Sequence, residues 1–109
     1  MNWTCTSPLR VGQVIEISFA TFTPRISIHS ERELTVEVIA GAYFGFSDTV
    51  EYEAIAVRDD LVILSWQEHN RSTIMHALDF SSCITYAAIT PATGKFQRLM
   101  GRIEIKPAT

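Results

Sequence analysis

Apolar residues recur at every second position of this chain, in short runs that each end at a turn signal. Residues 13–19, "QVIEISF", alternate apolar and polar side chains as a half-buried strand does. Pro24 interrupts the pattern and "RISIHS" resumes it. After "SERE" comes "LTVEVIA", with Leu34, Val36 and Val38 on one face. Residues 40–49, "AGAYFGFSDT", form a connection in which two glycines frame Tyr43 and Phe44, and Phe46 follows. Four further β runs cover 50–58, 61–67, 72–80 and 82–90, "TPATGK" makes a loop, and 96–106 closes the series. No segment carries a 3.6-residue stripe. Strands joined by tight turns predict an all-β domain over 1–109, a small antiparallel up-and-down β-barrel of about eight strands.

Composition narrows the function classes. A chain of 109 residues can bury roughly two thirds of its unfolded surface, so a core needs no metal or disulfide. Hydrophobic residues make up 47% and charged residues 19%, a globular balance. The mean hydropathy of +0.13 suggests apolar surface covered by a partner. Net charge is −3, and the nine basic residues form no run, which argues against nucleic acid. No apolar run approaches the roughly 18 residues of a membrane span, and "MNWTCTSPLR" does not read as a signal peptide. The sequons at Asn2 and Asn70 are therefore read as accidental. Cys5 and Cys83 lie far apart, so reduced thiols in a cytoplasm are expected rather than a metal site or a disulfide framework.

Turn chemistry sets a register. Taking Asp59-Asp60 and His69-Asn70 as two-residue loops pairs Val57 with Val62, Ile55 with Leu64, Glu53 with Trp66 and Glu51 with Glu68. The next hairpin pairs Trp66 with Thr73, Leu64 with Met75 and Val62 with Ala77. A loop at Ser81-Ser82 pairs Ala77 with Tyr86 and Met75 with Ala88. One face then carries Ile55, Val57, Val62, Leu64, Met75 and Tyr86, with Trp66 and Glu53 toward one end. The other carries Tyr52, Leu61, Ile63, Ile74, His76, Leu78 and Phe80. Both faces are apolar, which predicts a homodimer through Leu61, Ile63, Ile74, His76, Leu78 and Phe80.

The stretch "LSWQEHNRST" poses the functional question. Trp66 either plugs the barrel end while Glu68 solvates a turn, or it walls a ligand pocket with an acidic rim. The pocket reading takes Trp66, Tyr86, Met75, Leu64, Glu53, Glu68, Tyr43 and Phe46 as ligand-binding residues. Glu53 is expected to be the most enclosed of Glu51, Glu53 and Glu68. His76 reads as a hydrogen-bonded core or interface histidine, and His69 and His29 as solvated. No second His or Cys sits at ligand spacing from His76, and the spacing of Glu51, Glu53, Glu68 and His69 neither forbids nor recommends a metal site, so no metal or cofactor is expected. Arg98, Arg102 and Lys106 share one face of the last strand and read as surface charge. Ser65 has no Gly-x-Ser-x-Gly elbow and is poorly presented as a nucleophile.

"VEYEAIAVRDDLVILSWQEHNRSTIMHALDF" resembles the MoaF-like members of the calycin superfamily, small lipocalin-type barrels named after a molybdenum-cofactor biosynthesis protein. Glu51, Tyr52, Ser65, Trp66, Glu68, Asp79 and Phe80 carry the resemblance, with Gly12 opening the first strand. The chain also resembles phenolic acid decarboxylases more distantly, with Glu51 at their glutamate. Their two tyrosine positions carry Ile17 and Phe19 here, and their arginine position Ile39, so that activity does not transfer. The expected function is a non-catalytic, dimeric binding barrel for an apolar or aromatic small molecule. The alternatives are an enzyme using Glu51 or Glu53 as general acid or base, and an interaction module without ligand.

Overall fold

A computed structural model describes residues 9–106, all of which lie in strands, turns or loops. The strands are β1 (Val14–Ser18), β2 (Phe22–Ile28), β3 (Glu33–Gly41), β4 (Ser47–Arg58), β5 (Leu61–Gln67), β6 (Thr73–Asp79), β7 (Ile84–Thr90) and β8 (Gln97–Lys106). Each pairs antiparallel with its sequence neighbour, and β1 pairs with β8, closing an eight-strand up-and-down barrel. Closure removes most edge hydrogen-bonding groups, which is how a short all-β chain avoids open pairing.

Alternation decides what fills the interior. Ile15, Ile17, Ile26, Leu34, Leu64, Leu78, Phe80 and Ile103 point inward and are fully buried. Leu34, Val36 and Val38 share the inner face of β3, as the period-two pattern requires. Phe80 seals one end, where its backbone N–H donates to the Asp60 carbonyl at 2.8 Å and ties the β6–β7 turn to the β4–β5 turn. At the opposite end the chain turns sharply at Gly41, whose φ is +83° and whose absent Cβ leaves room for the Thr21 carbonyl and the Phe22 backbone.

Two expected registers are off by one residue. Ile55 pairs with Ile63 and Tyr52 with Trp66, because an irregularity at Val57, between Ala56 and Arg58, adds a residue to β4. Trp66 pairs with Ile74 and Leu64 with His76. The β5–β6 connection is a five-residue loop, 68–72, rather than a two-residue one. Glu68 N–H donates to the Ser72 carbonyl, Arg71 N–H to the Glu68 carbonyl, and Arg71 takes a left-handed φ of 79°. A slip of one residue exchanges the faces of a strand. Ile74, His76, Leu78 and Phe80 therefore lie inside the barrel and cannot form the expected dimer contact, whereas Met75 and Tyr86 lie outside. The β6–β7 register matches expectation, with Ala77 opposite Tyr86 and Met75 opposite Ala88.

Cys83 is buried and disulfide-bonded, not a reduced thiol as expected. The chain's other cysteine, Cys5, lies outside the described residues.

Candidate functional site

The open end of the barrel holds a cavity of about 200 Å³. Phe19 from the end of β1, Phe22 from β2, Val38 from β3, Trp66 from β5 and His76 from β6 form its walls. The β3–β4 loop adds Tyr43 and Phe46, and the β5–β6 loop adds Glu68, Asn70 and Ser72. Room for Phe19 comes from β8. Gly101 faces inward there, and a Cβ at that position would stand 2.8 Å from both the Ile17 side chain and the Phe19 ring.

His76 is the centre of the site. Its imidazole lies between two aromatic planes, with centroids 6.2 Å from Phe19 and 5.6 Å from Trp66 and interplanar angles of 24° and 26°. Nδ1 is 3.0 Å from Thr85 Oγ1. Burial pushes the imidazole pKa down to about 4, because a charge would lose its hydration there. The ring is thus neutral at pH 7, with one donor and one acceptor nitrogen. Among the described residues the Thr85 hydroxyl has no other hydrogen-bond partner, and a fully buried hydroxyl proton needs an acceptor. Thr85 therefore donates to Nδ1, and Nε2 carries the ring proton. No buried side-chain nitrogen or oxygen among the described residues lacks a partner, yet Nε2 has no hydrogen-bond partner among those residues. Nε2–H consequently opens on the cavity.

The mouth is polar. Trp66 Nε1–H donates to Glu68 Oε2 at 3.2 Å, which orients the indole edge toward the opening. Burial and the nearby Asp48 charge raise the Glu68 pKa, against the lowering effect of the Trp66 and Asn70 hydrogen bonds. Burial would raise Asp48 as well, but the His69 backbone N–H at 2.8 Å and the His69 ring at 2.7 Å outweigh it and hold the Asp48 carboxyl low. This pair pins the β5–β6 loop to β4.

Of the expected ligand-binding residues, Trp66, Glu68, Tyr43 and Phe46 meet at the cavity. Leu64 points inward but lies deeper, fully buried in the core. Met75, Tyr86 and Glu53 are on the outer surface, Glu53 opposite Ser65. Glu51 is also outside, its side chain 82% exposed and 4.0 Å from Arg32, so the expected acidic mouth of three glutamates does not form. Ser65 and His76 fall on opposite faces of the sheet. Phe19, Phe22, His76 and Thr85 had no place in the expected pocket. A histidine alternating with Ile74 and Leu78 was their one visible signal.

A family model described as MoaF-like matches residues 11–104. The chain belongs to the MoaF-like family. Among solved structures, one described as "a putative beta-lactamase from Burkholderia vietnamiensis" is 27% identical, with a TM-score of 0.85 over 92% of this chain and 98% of that one. No curated protein matches. This MoaF-like chain keeps the Ser-Trp-x-Glu stretch on which the resemblance rested, and in the barrel that stretch brings Trp66 and Glu68 to the cavity mouth.

Proposed function

We propose that this MoaF-like barrel binds a small, flat apolar or aromatic molecule that carries a hydrogen-bond acceptor, and that it does so without catalysis. The observation that supports this most is the neutral His76, stacked between Phe19 and Trp66, with Nε2–H turned into a cavity whose inner walls are apolar and whose mouth is polar. Such a site stacks a ring and orients it through one donor, the usual division of labour in a small-molecule pocket. The cavity is below the roughly 300–1,000 Å³ of drug-sized sites, which favours single-ring ligands.

Glu51 and Glu53 stand outside the barrel, so the enzyme reading loses the carboxylates it relied on. The β-lactamase description of the Burkholderia protein is not carried over. The chain has no Ser-x-x-Lys, and the described residues contain no group of three His, Cys, Asp or Glu side chains placed to hold a metal. No helix among the described residues is long and apolar enough to cross a membrane. The cytoplasmic expectation rested on reduced cysteines, and the disulfide at Cys83 favours an oxidising compartment instead.

Acetophenone and ethylbenzene, which share a ring but differ in the carbonyl acceptor, test the reading by NMR titration. Acetophenone should shift the His76 and Trp66 side-chain resonances and bind more tightly than ethylbenzene. In His76→Phe, which keeps the ring and removes the donor, the advantage should vanish, a loss of about 1 kcal/mol or roughly fivefold. Equal affinity for both probes in the natural protein would refute the proposal.

A further inference from the structure

The outer surface of β4 to β8 carries a continuous apolar row. Ile55 lies opposite Ile63, Ile63 opposite Ala77, Ala77 opposite Tyr86, and Tyr86 opposite Met100. Ile55, Tyr86 and Met100 are 62%, 56% and 60% exposed, far more than isolated surface apolar residues require. Two adjoining shallow depressions run along this face, so it is not simply convex as a barrel wall would be.

One row nearer the cavity mouth, the order is Glu53, Ser65, Met75, Ala88, Arg98. Its two ends are opposite charges, and neither has an ion pair within the chain among the described residues. Arg98 is held over the Phe96 ring, its guanidinium carbon 4.8 Å from the centroid.

We propose that a second copy of this chain covers the face, with a two-fold axis running along β6. That rotation leaves positions along the strands unchanged and exchanges β4 with β8 and β5 with β7. Ile55 of one copy then meets Met100 of the other, Ile63 meets Tyr86, and Ala77 meets Ala77. In the neighbouring row Glu53 meets Arg98 twice over, once on each side of the axis, so each unpaired charge finds its opposite. One row in the other direction, the order is Arg58, Leu61, Asp79, Ile84, Arg102. Arg102 there approaches Arg58, whose charge is already offset by Asp60 at 3.6 Å, and the two Asp79 carboxylates, each accepting from Ser81 of its own chain, face each other at the rim of the contact. A saddle-twisted sheet maps onto itself under a two-fold axis laid along its central strand, so the shape is self-complementary, as is the charge of the Glu53–Arg98 row. Charge complementarity of this kind selects a second copy over an unrelated partner, because both halves of the pair are on one surface.

Sedimentation equilibrium at micromolar concentration should give twice the 12.2 kDa chain mass. Glu53→Arg and Arg98→Glu, each placing two like-charge contacts in the interface, should weaken the dimer at least tenfold. The double variant Glu53→Arg/Arg98→Glu should restore it, and a cooperative thermal transition with a native circular-dichroism spectrum in the monomeric variants would show that the barrel itself is intact. Tyr86→Lys, one strand from the axis, should give a folded monomer. A natural protein that remains monomeric at 100 μM, a dimer indifferent to either single reversal, or a double variant as weak as the singles would each overturn the arrangement.

Discussion

His76 makes acid sensitivity a test of the site. In the unfolded chain its imidazole titrates near 6.5, and in the barrel burial lowers that to about 4. Above pH 6.5 the ring is neutral in both states and contributes nothing to pH dependence. Between 6.5 and 4 the unfolded chain binds a proton that the folded chain refuses, so stability falls as pH falls, by up to about 1.4 kcal/mol per pH unit. The full window amounts to about 3 kcal/mol. The Phe19 and Trp66 faces would attract an imidazolium by roughly 0.5–2 kcal/mol, which sets the lower bound of the expected loss near about 1 kcal/mol. Urea unfolding of the natural protein and of His76→Gln, from pH 8 to pH 4, isolates this contribution. Glutamine does not titrate and can still accept from Thr85, and carboxylates common to both proteins cancel in the difference. The natural protein should lose about 1–3 kcal/mol more than the variant across that range. A difference between the two proteins that does not change with pH would show that His76 takes up its proton in the barrel as readily as in the unfolded chain, and so is not enclosed.

Gly101→Val should cost about 1–3 kcal/mol and displace Phe19 from the cavity, because the added carbons meet Ile17 and Phe19; chemical denaturation and acetophenone titration read the two effects separately. Glu68 has its pKa raised by burial, so its ionised form burdens the fold above that pKa. Glu68→Gln, which keeps an acceptor for the Trp66 indole N–H, should leave the melting temperature at pH 7 unchanged or higher, and a clear drop would contradict the burial argument. Unfolded in guanidinium without reductant, the protein should show no Cys83 thiol by Ellman titration, and reduction should release it.

The fold class was legible because alternation is a local property. A run such as residues 61–67 shows its period to any reader, and the observed β5 has the same bounds. The family was legible for a related reason: Ser65, Trp66 and Glu68 stand on one strand and the turn after it, so their spacing survives in the linear order. Which face a strand turns inward is not local. It depends on one residue at Val57 and on a five-residue loop after Gln67, where His69 and Asn70 looked like a two-residue turn. Those two insertions moved Met75, Tyr86 and Glu53 to the surface and brought His76 under the tryptophan. The β6–β7 hairpin escaped because its loop is longer than expected by an even number of residues, which preserves the face. The cavity required still more of the assembled barrel. Phe19 and His76 come from strands far apart in the chain, and they stack only because closure between β1 and β8 fixes the position of β1 and the missing side chain at Gly101 leaves room for the Phe19 ring.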